Sequence, residues 1–138
     1  MTLNPDLVGA RCNEIEESVQ RLEALAATPL AHFLANQDAR DVACYRLLVA
    51  IEAALAVCYH VSARRLRKTP EDYAGCFAIL GDAGILDPDL TERLQRMARF
   101  RNLLVHVYWT VDHEQVHALI RRDLSDLRAF AAAIVALL

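Results

Sequence analysis

Residues 47–61 read LLVAIEAALAVCYHV, an apolar run interrupted by one carboxylate, Glu52. At helical spacing its apolar side chains cover most faces, so the run is expected at the centre of a helical fold and in reach of a partner subunit. It is short of the roughly 20 apolar residues that a membrane span needs. Glu52 is expected at a rim or paired with an arginine.

Working outward, "ATPLAHFLANQDARD" (27–41) precedes this helix, whose start is expected near Asp38 and whose end near Arg67. Before it, "NPDL" offers Asn4 as N-cap and Pro5 at the first helical position. Ile15, Val19, Leu22 and Leu25 then recur at helical spacing, with Glu17 and Arg21 as an i,i+4 pair outside. After the central helix, "TPED" offers Thr69 as a cap with Pro70 inside. Tyr73, Phe77 and Leu80 give a short amphipathic helix ending at Gly81 or Gly84. "DPDL" repeats the start signal at Asp87, and Leu90, Leu94, Met97 and Leu104 line one face. A last helix is expected from Asp112, with Gln115 as capping-box partner, through Val116, Leu119, Ile120, Leu124, Leu127 and Ile134. These segments predict an all-α antiparallel bundle of about five helices, occupying 1–138 as a single domain.

The chain has 138 residues, of which 55% are hydrophobic, and its mean hydropathy is +0.18. That is rich for a small domain and predicts apolar surface buried against another subunit. The net charge of −3 argues against a nucleic-acid binder that works by bulk charge, so any such site needs a local basic patch. The polar, acidic start has no secretory pattern, and the cytoplasm is the expected compartment. Four cysteines occur at 12, 44, 58 and 76 without a C-x-x-C. Cys44 and Cys58 on one helix would sit about 21 Å apart, too far to bridge. All four are read as buried or half-buried thiols. His113 and His117 have i,i+4 spacing that can hold zinc, but the simpler reading is surface histidines on the first turns of a helix. No metal site and no cofactor is expected.

The chemistry concentrates in "FRNLLVHVYW" (100–109). On an unbroken helix Arg101 and His106 would lie about 140° apart and could not grip one small group. The following "VHVYWTV" is β-branched and aromatic, so the helix is expected to fray near Leu104. His106 and Tyr108 would then face together, back toward Arg101 and Asn102. Such a set suits a phosphodiester. Arg101 matches phosphate oxygens, His106 can take or give a proton, and Asn102 can orient either group, without a metal. Two basic stretches could add RNA or partner contacts: "ARRLRK" with Arg64 and Arg65, and "TERLQRMARFR" with Arg96 and Arg99, the second leading into the motif.

"RNLLVHVY" reads R-x-x-x-x-H-x-Y with Asn directly after the Arg. Together with "IEESVQRLE", "RDVACYRLLVAIEAAL" and the stretch from "PEDYAGCF" to "YWTVD", it resembles the HepT-like toxins of the HEPN superfamily across nearly the whole chain. The resemblance implies a metal-independent endoribonuclease, homodimeric, in which two Arg–His sets meet in a cleft. It implies a toxin whose RNA substrate would be tRNA or mRNA. It also implies neutralisation by a MntA-type nucleotidyltransferase antitoxin that transfers AMP to the motif tyrosine, here Tyr108. Two other readings stay open from the residues: a non-catalytic nucleotide-binding partner of a nucleotidyltransferase, and a structural bundle with no site.

Overall fold

The computed structural model describes residues 2–106 and 110–138. They form seven helices: α1 (Pro5–Ala26), α2 (Leu30–Ala35), α3 (Gln37–Arg64), α4 (Tyr73–Asp82), α5 (Pro88–His106), α6 (His113–Arg122) and α7 (Leu124–Val135). No strand occurs among the described residues. The all-α expectation holds, with two helices more than expected.

Helix starts follow local chemistry. Asn4 Oδ1 accepts from the Asp6 and Leu7 N–H groups, with Pro5 beside it. Asn36 caps α3 through the Ala39 N–H, and Asp112 caps α6 through the Glu114 and Gln115 N–H groups. Each side chain satisfies donors that a first helical turn leaves free. The expected Thr69 start is corrected. The chain enters α4 only at Tyr73, where Asp72 accepts from the Gly75 N–H. An aspartate in extended backbone makes the stronger cap, and Pro70 precedes the helix rather than opening it.

α3 is the hub, packed against α1, α2, α4, α5, α6 and α7. It buries Leu47, Ala50, Ile51, Ala53, Ala54, Leu55, Val57 and Cys58 around most of its circumference. By length and composition it could cross a membrane, yet 56% of its most apolar window is buried inside the fold. α1 runs antiparallel to it, since the Asn4 N–H donates to His60 Nε2 near the far end of α3. α5 is antiparallel too, with Glu52 meeting Arg101 while Cys44 and Leu48 meet Leu104. The buried apolar side chains of all seven helices join in one core.

Two features were not expected. α2 is a six-residue helix inside 27–41, fixed by Phe33, which is fully buried and lies 5.0 Å from the His117 ring. The last helix is split at Asp123, whose N–H donates to Leu119 O while its own carbonyl accepts from the Asp126 N–H.

α4 and α5 pack closely because Gly81 has no side chain. A Cβ there would stand 2.5 Å from Thr91 Oγ1. Gly84, at φ +79°, turns the chain out of α4.

Candidate active site

α5 does not fray near Leu104; it continues to His106. Leu104, only 4% exposed, seats the last turn against α3. That burial outweighs the extended preference of the β-branched residues after it. Arg101 and His106 therefore leave one helix on different faces, and the expected extended arrangement of residues 105–106 is corrected. Tyr108 lies outside the described residues.

Arg101 is held from three sides. Its Nε donates to Glu52 Oε1. Its Nη1 donates to Asn102 Oδ1 at 3.2 Å. Its guanidinium carbon stands 4.5 Å from the centre of the Tyr73 ring, within cation–π range. The Arg101 side chain is 12% exposed, while Glu52 remains half open to solvent. The carboxylate that interrupts the apolar run of α3 thus anchors the motif arginine, as one of the sequence readings had it.

Asn102 and His106 are one turn apart and line a cleft of roughly 620 Å³ with Arg99, Tyr59, Glu71, Asp72, Tyr73 and Ala74. Residues 99, 102 and 106 share a helical face. Arg101 is not in the lining; it lies against the wall, beneath Tyr73. The cleft brings together a cation, an amide, an imidazole and two aromatic rings. Tyr59 and Tyr73 meet edge to face, 6.2 Å between centroids. Burial, and then the nearby Cys76, push the Tyr59 phenol upward, so it stays protonated near neutrality.

The other expected contacts divide. Arg99 joins the cleft, whereas Arg96 lies in a separate groove between α5, α6 and α7 with Arg93, Arg122, Asp123 and Asp126. There Arg93 forks onto Asp126 with both bonds at 3.0 Å. Burial raises the Asp126 pKa and the Arg93 hydrogen bond opposes the rise. Arg64 and Arg65, both exposed, stand where α3 ends, about 8 Å along the axis beyond Tyr59. His117 is not a surface residue; it is 3% exposed and its Nε2 lies 2.8 Å from Thr28 O. His113 Nδ1 lies 3.9 Å from Cys44 Sγ. Among the described residues no three His, Cys, Asp or Glu side chains gather as a metal set. All four cysteines are free. Burial pushes the thiols of Cys12 and Cys58 up, and that of Cys44 to about 11.

Several large apolar side chains of α3 and α5 are exposed. Val42 and Tyr45 on α3, and Leu103 and Val105 on α5, are 41–60% exposed. They flank a small groove formed by Asp41, Cys44, Tyr45, Leu48 and Leu104. Sequence reasoning singled out neither this face nor the roles of Tyr59, Glu71 and Tyr73. Tyr73 read as one apolar position of an amphipathic helix, and nothing in its spacing distinguishes a ring under an arginine from a ring in the core.

The described helices form a bundle in which α5 ends in R-N-x-x-x-H, with the arginine seated by a carboxylate from the central helix. The family model for HepT-like ribonucleases matches residues 15–134, and the chain belongs to that family. Solved structures agree on the fold. A tri-AMPylated Shewanella oneidensis HEPN toxin, solved in complex with its MNT antitoxin, is 20% identical, covering 96% of this chain and 99% of that one with a TM-score of 0.88. A variant of the MntA–HpeT toxin–antitoxin is 18% identical, covering 94% and 98%, with a TM-score of 0.86. The cytosolic protein YutE from Bacillus subtilis is 18% identical, covering 90% and 87%, with a TM-score of 0.74. A comparison of the sequence with curated proteins finds no match.

Proposed function

We propose that this chain is the toxin of a toxin–antitoxin pair, a cytoplasmic single-domain endoribonuclease that cuts RNA without a metal. A MntA-type nucleotidyltransferase would neutralise it by placing AMP on Tyr108. The observation that carries the reading is the seating of Arg101. A guanidinium fixed by Glu52 and Tyr73 stands beside the cleft that Asn102 and His106 line. A preorganised cation is what a phosphate gaining negative charge requires.

In this mechanism the ribose 2′-oxygen attacks the adjacent phosphorus and the bond to the 5′-oxygen breaks. One His106 takes the 2′-OH proton, and a second His106 gives a proton to the leaving 5′-oxygen. The products are a 2′,3′-cyclic phosphate and a 5′-hydroxyl. Arg101 meets the charge on the phosphoryl oxygens and Asn102 holds the scissile group in place. Since one helix turns Arg101 and His106 to different faces, a second copy of the chain supplies the other half of the set. Exposed Val42 and Tyr45, one turn apart on α3, and exposed Val105, one turn beyond Arg101 on α5, suit that copy. A two-fold contact there also gathers positive charge in an acidic protein. Arg99 serves the substrate from the cleft, while Arg64, Arg65 and Arg96 serve more distant RNA or the antitoxin.

The test is induced expression with and without a MntA-type nucleotidyltransferase, followed by incubation of purified protein with tRNA and mRNA. The expected result is growth arrest by the wild type, none by His106→Ala, rescue by the nucleotidyltransferase, and RNA ends bearing 2′,3′-cyclic phosphate. A soluble, unmodified protein that binds nucleotide yet cuts no RNA would make it a non-catalytic partner subunit instead.

A further inference from the structure

The cleft beside His106 contains one group that neither the fold nor phosphate chemistry employs. Asp72 is spent as the cap of α4. Glu71 is exposed, lines the same cleft, and forms no ion pair among the described residues. Arg99, across the lining, forms none there either. A free carboxylate repels a polyanion, so at a ribonuclease site it is a liability unless it meets hydrogen-bond donors. Nucleobases bring such donors on their Watson–Crick edges. Tyr59 offers a half-buried ring in the same wall, and base–aromatic stacking is the usual way a splayed base is held. The volume of roughly 620 Å³ falls within the range of small-molecule pockets, about 300–1,000 Å³, and admits a nucleotide.

We propose that this cleft is a nucleobase subsite, in which a base next to the scissile phosphate stacks on Tyr59 and is read at its edge by Glu71, with guanine preferred. The inference rests on the ribonuclease reading above. Guanine alone presents two adjacent N–H donors, N1–H and N2–H, which match the two oxygens of one carboxylate. Adenine and cytosine present an amino donor beside a ring acceptor that a carboxylate repels. Uracil places its single N–H between two carbonyls and fits worst. Arg99 takes the phosphate of the held nucleotide, which leaves His106 facing the ribose side.

The experiment digests a pool of RNA oligonucleotides randomised over eight positions and sequences the product ends. Selectivity is read as a ratio within each variant, so overall rate divides out. Wild type is expected to enrich guanine about tenfold over uracil at one position adjoining the cut, the discrimination of one good bidentate pair. Glu71→Gln should bring that ratio to within about twofold of unity. Tyr59→Phe should keep it, and Tyr59→Ala should weaken oligonucleotide binding roughly tenfold. Cleavage without base preference, or with the same preference in Glu71→Gln, overturns the subsite while leaving the ribonuclease reading intact. If the wild type cuts nothing, the ribonuclease reading fails and titration with GMP and UMP, followed by NMR, decides the subsite. Tighter GMP binding that levels in Glu71→Gln supports it; equal binding overturns it.

Discussion

Two arginines of this protein meet glutamates in different ways. Arg128 on α7 forks onto Glu16 and Glu23 of α1 through four hydrogen bonds of 2.8–3.0 Å. All three of its nitrogens are used on carboxylates, and the result is a clamp. Arg101 meets one carboxylate, one amide oxygen and one ring face, and its Nη2 bonds to none of the described residues. Among the described residues it is held in place but not saturated. Arg128 spends its donors on the fold, whereas in the function proposed above Arg101 would be oriented by part of its donors and meet an anion with the rest.

The largest effect is expected at the chemistry. His106→Ala should lower kcat/KM on a defined RNA by at least about a hundredfold, the usual weight of a general acid–base group, with Tm unchanged because the side chain is exposed. An undiminished rate would remove His106 from the mechanism. Glu52→Gln keeps the shape of the anchor and removes its charge. It should lower kcat by about tenfold and shift KM less than twofold, since Arg101 then drifts from the reacting geometry. A change confined to KM would mean that Glu52 contacts substrate itself.

Arg128→Ala should do the reverse, lowering Tm by a few degrees in a thermal melt with cleavage unaltered. Loss of activity would mean that the clamp also shapes the site. The smallest effect is in acid. The Arg128 hydrogen bond and charge lower the Glu16 pKa below its ordinary 4.5. A carboxyl depressed in the folded state stabilises it above the ordinary value and loses that contribution as the pH falls through the depressed one. Glu16→Gln should therefore flatten the Tm-against-pH curve below about pH 4.5 and leave it parallel to wild type above.

How far each part could be read from the chain depended on where its cause lay. Asn4, Asp87 and Asp112 announce helices locally, and a cap is a contact between near neighbours. Residues 47–61 announced a central helix because little but burial accommodates so many apolar faces. α2 depends on Phe33 reaching His117, 84 residues on, a contact with no local sign. The break at Asp123 hides because Val116 to Ile134 keep their helical period across it. The reading of residues 105–106 failed since propensity favoured extension while Leu104, buried beneath α3, kept the helix. The motif itself was visible as a spacing. Its surroundings were not, because Glu52, Tyr59, Glu71 and Tyr73 come from other helices and only packing assembles them.

Gly81 ties that packing to the site. It lies eight residues from Tyr73, about 12 Å along α4, and its missing methyl sets how near α4 comes to α5 at Thr91. A rigid rod braced at one end swings at the other. Gly81→Ala should lift the ring of Tyr73 from Arg101 and widen the cleft around Asn102 and His106. The gauge of this site is thus cut at the opposite end of the helix, in a residue with no side chain at all.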